Sequence, residues 1–225
     1  MQDALLSATS IVKYFHDPQT FRVLDGISIE VFRGEFLSIV GKSGSGKTTL
    51  LYVLSTMDTD FEGHVDIDGV ALNGMKRRAL AAFRNEHIGF VFQFHYLLPE
   101  FTALENVMLP AMKLGKRSNE EIRARALELL DAVELRSHAE KRATQLSGGE
   151  QQRVAIARSL INDPAVVMGD EPTGNLDSKN TQMVFEILAE LTRSRGQTIV
   201  TVTHDTEFSA RSDRIIELAD GRVVS

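Results

Sequence analysis

The chain has 225 residues, 43% hydrophobic and 25% charged, enough to bury a core as one large or two small domains. A formal net charge of −6 argues against a nucleic-acid-binding face, and the lack of cysteine excludes disulfides and thiolate chemistry. No stretch approaches the roughly 18 consecutive apolar residues that span a bilayer, and Met1-Gln2-Asp3-Ala4-Leu5 lacks the basic-then-apolar pattern of a signal peptide, so any membrane role is expected to be peripheral.

In chain order, residues 24–31 and 35–40 read as strands. The second runs into Gly41-Lys42-Ser43-Gly44-Ser45-Gly46-Lys47-Thr48, which fits the phosphate-loop pattern G-x-x-x-x-G-K-[ST]. From Thr49 onward Leu50-Leu51-Tyr52-Val53-Leu54 reads as the first turns of a helix. The glycines let successive backbone N–H groups aim at one point, and the helix N-terminus adds its positive end. A triphosphate is the natural guest, with Lys47 reaching the β- and γ-phosphates and the Thr48 hydroxyl ligating Mg²⁺. The competing reading is a glycine-rich turn with a chance lysine. Strand, loop and helix in that order weigh against it.

Further along, residues 64–67 form a strand with Asp68-Gly69 as a turn, 76–85 a short helix and 88–92 another strand. Helical signals follow over 102–133, with apolar side chains at Ile122, Ala126, Leu129, Leu130 and Val133. The last third alternates: 165–168 strand, 178–195 helix, 198–203 β-rich, 215–218 a final strand. Such alternation predicts an α/β fold with a mainly parallel sheet covered by helices, interrupted by a helical insertion over 94–142.

Val166-Val167-Met168-Gly169-Asp170-Glu171 is an apolar strand ending in two carboxylates, where ligands of such sheets sit. Asp170 is placed to hold Mg²⁺ directly or through water, and Glu171 to take a proton from the attacking water or orient it. A charged turn after a strand is the plainer alternative. His204 closes the β-rich 198–203 segment, where it is either structural or within reach of a γ-phosphate. Leu146-Ser147-Gly148-Gly149-Glu150-Gln151 opens a helix running through Arg158. Ser147 with Glu150 makes a capping box, but two glycines in a first turn cost about 1 kcal/mol each against alanine. They fit better beside an anion, as a second phosphate-binding terminus. One nucleotide cannot easily use both termini of one chain, which points to a dimer.

This ordered set resembles the nucleotide-binding subunits of ABC transporters over nearly the whole chain. The resemblance implies a P-loop ATPase core with a mainly parallel sheet, an N-terminal antiparallel β subdomain and a helical subdomain at about 94–160, all within one domain spanning 1–225. Gly41 to Thr48 looks like Walker A, Gln93 the Q-loop glutamine and a further Mg²⁺ ligand, Leu146 to Gln151 the signature, Val166 to Glu171 Walker B, Gly174-Asn175-Leu176-Asp177 the D-loop, and His204 the switch histidine. Tyr14 falls where the family stacks an aromatic ring on adenine. The implied catalytic set is Glu171, His204, Gln93 and Lys47. Tyr14, Gly41, Lys42, Ser43, Gly44, Ser45, Gly46, Lys47, Thr48, Thr49, Ser147, Gly148, Gly149 and Asp177 are the implied nucleotide-binding residues; Thr48, Gln93 and Asp170 are the metal ligands. Two subunits pair head to tail with ATP between Walker A of one and the signature of the other. Integral-membrane permease subunits are the implied partners and nucleic acid is not.

Phe92-Gln93-Phe94-His95-Tyr96-Leu97-Leu98-Pro99-Glu100-Phe101-Thr102-Ala103-Leu104-Glu105-Asn106-Val107 is similar to the ATPases of bacterial lipoprotein-releasing transporters, a branch close to macrolide exporters and a cell-division ATPase. That implies work at the cytoplasmic face of the inner membrane, moving lipoproteins toward the outer membrane. Phe94, Leu97, Leu98 and Phe101 either line a groove for a membrane subunit's helix or pack the helical insertion. Macrolide exporters fuse this domain to their membrane part, so a chain ending at Ser225 is expected to be a separate subunit. Gly169 replaces an apolar residue before the Walker B aspartate and is expected to loosen the strand locally. Ala143 and Thr144 stand where relatives often carry a proline.

Overall fold

The computed structural model describes residues 4–16 and 18–224, so Met1-Gln2-Asp3 of the N-terminal reading lie outside it. The first elements are β1 (Ala4–Phe15), β2 (Phe21–Phe32), β3 (Phe36–Val40), α1 (Lys47–Leu54), β4 (Glu62–Ile67), β5 (Val70–Ala71), α2 (Arg77–His87) and β6 (Ile88–Phe92). Then come α3 (Ala103–Leu114), α4 (Asn119–Ala132), α5 (Gly148–Ser159), β7 (Val166–Asp170), α6 (Ser178–Arg195), β8 (Thr198–Val202), α7 (Thr206–Ser209), β9 (Arg214–Ala219) and β10 (Arg222–Val223). They fall into two compact units, Met1–Ala81 with Ala189–Ser225, and Ala82–Leu188. The 94–160 segment expected as the helical subdomain lies inside the second.

In the first unit β1 pairs antiparallel with β2 and β4, and β4 with β5. A second layer has β3 parallel to both β8 and β9, with β10 turning back on β9. Every residue of β8 is buried, which is why that strand reads as an unbroken Thr198-Ile199-Val200-Thr201-Val202 run rather than an alternation. The expected strands begin at residue 24, and β1 is the element the pattern hides. Its buried positions are even at Leu6 and Ala8 but odd at Ile11 and Lys13, because a bulge at Thr9 and Ser10 shifts the register. Ser10 takes φ 53°, and a Cβ on the facing Gly63 would lie 2.6 Å from Ser10 O.

Lys13 is 3% exposed, an unusual place for an ammonium. Its Nζ sits 2.9 Å from Asp58 Oδ2 and 3.1 Å from Asp60 Oδ2, fixing the chain beyond α1 to β1. Burial works against this charge; the two carboxylates outweigh it and hold the Lys13 pKa above its ordinary value.

In the second unit β6 and β7 run parallel, and α3, α4 and α5 pack on one another. Each of these helices opens on a capping box, at Thr102 with Glu105, Ser118 with Glu121, and Ser147 with Glu150. Each cap contributes about 1 kcal/mol. The helical stretch expected over 102–133 is therefore two helices, split where Gly115 takes φ 70° and ends α3. Gly169 does not break β7: it is buried, pairs with Val91, and leaves Asp170 opposite Phe92.

Candidate nucleotide site

In the first unit β3 ends at Val40 and the chain turns through Gly41, Gly44 and Gly46 at φ 152°, 81° and 100° into α1. Only glycine reaches the last two angles without strain. Gly41 and Gly46 also have no room for a side chain. A Cβ on Gly41 would collide with Leu218 O, and one on Gly46 would lie 2.9 Å from Leu24 Cδ2. Lys42, Ser43 and Gly44 face outward, and Thr48 is exposed in the first turn of α1, followed by half-buried Thr49. Lys47 is 8% exposed and folds back into the loop, where its Nζ donates to Gly41 O at 2.8 Å and Lys42 O at 3.0 Å. Ser45 Oγ is buried in the same loop with no hydrogen-bond partner among the described residues. A positive group inside a ring of backbone, with an orphaned hydroxyl beside it, fits a bound phosphate chain.

His204 leaves β8 next to this loop, since Ile39 pairs with Val202 and Thr203 N–H donates to Ile39 O. The two neighbouring aromatic side chains near the expected adenine position, Tyr14 and Phe15, meet different partners. Tyr14 points to the face where it stacks on His16, ring centroids 6.4 Å apart. Lys13, two residues from Phe15, pairs with Leu24, the residue pressed against Gly46. Lys13 Nζ lies 5.4 Å from the Phe15 ring, so Phe15 and Lys13 lie on the same side of β1. Phe15 and Phe21 are 40% and 51% exposed, with centroids 5.8 Å apart. Motif position points to Tyr14; only the pleat separates one neighbour from the next.

In the second unit the Phe92–Asp170 pairing ends the β6–β7 ladder and sets Gln93 beside Glu171. Asp170 is buried, while Glu171 takes φ 47°, a left-handed backbone rare for a non-glycine residue. Asn175 Nδ2 donates to Gln93 O at 3.2 Å, and Gln93 Nε2 is 3.4 Å from Asn175 Oδ1. A Cβ on Gly174 would lie 2.9 Å from that same Nε2, so the glycine makes room for the glutamine. Asp177 Oδ1 accepts from Asn180 N–H at 2.8 Å and Asn180 Nδ2 at 3.0 Å.

The two signature glycines have different reasons. A Cβ on Gly149 would collide with Asn180 Oδ1, whose amide is held by Asp177. Gly148 meets nothing and opens to solvent at the positive end of α5. Ser147 caps this end, and its backbone N–H, donating to the Glu150 carboxylate, holds that group below the usual carboxylate range. No motif singles out Asn180, nor Gln152, which is 1% exposed on the buried face of α5. A polar residue three positions after Gly149 on an otherwise apolar face is the one signal the sequence offers.

Beyond Gln93 the chain is apolar yet exposed at Phe94, Tyr96 and Leu98. Arg158 holds this turn from α5, donating to Tyr96 O at 2.8 Å and His95 O at 2.7 Å, and its burial lowers the guanidinium pKa. Asn106, fully buried, anchors the far end through Leu98, Phe101 and Thr102. An open groove of about 410 Å³ lies nearby, lined by Phe101, Met108, Leu109 and Met112 with Glu105 and Arg123 at its margin. Among the described residues no helix is long and apolar enough to cross a membrane. Among the same residues no cluster of three or more His, Cys, Asp or Glu side chains is placed to hold a metal ion.

Comparison with known proteins gives a consistent set. A family model described as ABC transporter matches residues 24–174. The chain is 50% identical over 205 residues to the lipoprotein-releasing system ATP-binding protein LolD of Bacteroides fragilis, covering 91% of this chain and 94% of that one. It is 47% identical to the protein of that name from Porphyromonas gingivalis, covering 98% and 99%. Among solved structures it superposes on a dimeric bacterial ABC transporter cassette with a TM-score of 0.89 and 42% identity, over 98% of this chain and 97% of that one. A post-hydrolysis state of the same cassette, bound to ADP and Pi, matches at 0.89 with 41% identity over the same shares.

Proposed function

The chain belongs to the ABC transporter family as one of its ATP-hydrolysing, nucleotide-binding subunits, and from that premise we propose that it powers release of lipoproteins from the bacterial inner membrane toward the outer membrane. The observation that carries this reading is 50% identity to a lipoprotein-releasing ATPase over 91% of the chain. We take residues 1–225 as one ATPase domain with its helical subdomain at about 94–160.

Each residue acts on ATP as follows. Lys47 and the N–H groups from Gly44 to Thr49 hold the phosphates. By the family resemblance Thr48, Asp170 and Gln93 would be the residues that hold Mg²⁺, which would supply charge neutralisation at the phosphates. Glu171 takes the proton of the attacking water as its oxygen bonds to the γ-phosphorus and the bond to the bridging oxygen breaks. His204 hydrogen-bonds a γ-phosphate oxygen. ADP leaves, and the proton passes on to the released phosphate. In a homodimer with ATP at the interface, Ser147, Gly148 and Asp177 of the partner copy complete each site; the dimeric cassette among the relatives supports this arrangement. The exposed Phe94, Tyr96 and Leu98 and the adjoining groove receive a helix of an integral-membrane permease, which keeps the subunit peripheral at the cytoplasmic face.

We assign the adenine platform to Phe15, assisted by Phe21, in place of Tyr14. Base stacking is worth about 1–3 kcal/mol. Phe15→Ala is therefore expected to weaken fluorescent-nucleotide binding by roughly tenfold, with Tyr14→Ala close to the parent. The reverse ranking would return the role to Tyr14.

The transport reading is tested by depleting the chain in the bacterium that encodes it and fractionating the envelope. Lipoproteins stranded in the inner membrane are the expected result. An unchanged lipoprotein distribution with failed division or failed drug efflux would transfer the chain to the cell-division or macrolide-exporter branch.

A further inference from the structure

Gln152 is a buried side chain that the roles above leave unused. It lies on the inner face of α5, 1% exposed, five residues after the Ser147 cap. Its Nε2 donates to Phe92 O at 3.3 Å and to Pro172 O at 2.5 Å. Those two carbonyls belong to the residue before Gln93 and the residue after Glu171. Both acceptors are carbonyls, so the amide orientation is fixed: the NH₂ faces them and Oε1 faces away. Oε1 is buried with no partner among the described residues. As a packing element alone the amide is a poor choice, because an apolar side chain of similar length fills the space without an orphaned acceptor.

The place of this bridge matters. The β6–β7 ladder ends at the Phe92–Asp170 pair, and beyond it strand hydrogen bonds no longer hold Gln93 and Glu171. Glu171 then takes its left-handed φ of 47°, a conformation that persists only where surrounding contacts impose it. The Gln152 amide is one such contact, and the paired Gln93–Asn175 bonds are another. Because α5 is a continuous 12-residue helix, its signature end and Gln152 move together.

We propose that Gln152 is a positioning residue for ATP hydrolysis, tying the signature helix to the two turns that carry Gln93 and Glu171 and so aiming Glu171 at the attacking water. The proposal rests on the roles given to Gln93 and Glu171 above. A misplacement of about 1 Å can cost about 10²-fold in rate. Gln152→Leu, which removes both the donors and the orphaned acceptor, should therefore lower kcat by about ten- to a hundredfold. Its KM for ATP should stay within about twofold, because the phosphate loop is untouched, and thermal unfolding should be no earlier than in the parent. Gln152→Met provides the same reading if the leucine variant does not fold. In single-turnover hydrolysis the losses from Gln152→Leu and Glu171→Gln should be far less than additive, since both act through one carboxylate.

Parental kcat in Gln152→Leu alongside a strongly impaired Glu171→Gln would overturn this inference while leaving the ATPase reading intact. Fully additive losses would do the same. Parental turnover in Glu171→Gln would overturn the assignment of the base, and this inference with it.

Discussion

Glu171→Gln is expected to lower ATP turnover by about 10²–10⁴-fold, the contribution of a positioned general base, while leaving ATP binding close to the parent. The amide keeps the shape of the carboxylate but cannot take the proton of the attacking water. Glu171 is half-buried in the turn that follows β7, so an isosteric change should not disturb the surroundings. ATP held without hydrolysis should also trap the closed dimer. Light scattering of this variant is expected to give a monomer without nucleotide and a dimer with Mg-ATP. Hydrolysis at the parental rate would remove Glu171 from the role of base. A persistent monomer would mean that the membrane subunits must align the two copies.

Lys47→Ala is expected to have the second large effect, on binding rather than on turnover alone. The ammonium is nearly buried and already ringed by Gly41 O and Lys42 O, so it is held where a phosphate chain would lie. Truncating one partner of a buried charge-assisted contact costs about 2–5 kcal/mol. At about 1.4 kcal/mol per decade this is a loss of roughly 30- to several thousand-fold in nucleotide affinity. Calorimetric titration with ATP measures it directly. An affinity within twofold of the parent would take Lys47 out of the phosphate site. The two variants separate the functions of the two units: the first should bind and not turn over, the second should not bind.

Much of the fold and of the nucleotide site is legible in the residue order alone, and the legible parts share a property. The phosphate loop is eight consecutive residues, and its demands are met within them: glycines at positive φ, a lysine and a hydroxyl at the start of a helix. The Val166 to Glu171 strand is equally local, as are the capping boxes that open α3, α4 and α5. The parts that escape are those where a pattern is broken or completed from far away. β1 is hidden because one bulge at Thr9 and Ser10 exchanges its inner and outer positions halfway along. Phe15, the adenine platform proposed above, lies one residue beyond the expected Tyr14, and motif position does not state which face of the pleat a side chain takes.

That this chain binds a nucleoside triphosphate, and that Asp170 and Glu171 lie at a strand end, follows from residue order, because short-range backbone geometry and side-chain chemistry carry that information. Long-range packing was needed to establish that Gly149 yields space to Asn180 while Gly148 stays open, that Lys13 is buried against Asp58 and Asp60, and that Gln152 reaches carbonyls 60 and 20 residues away. Those outcomes depend on distances between segments remote in the chain, and such distances are fixed by how strands and helices pack, not by the residues on either side.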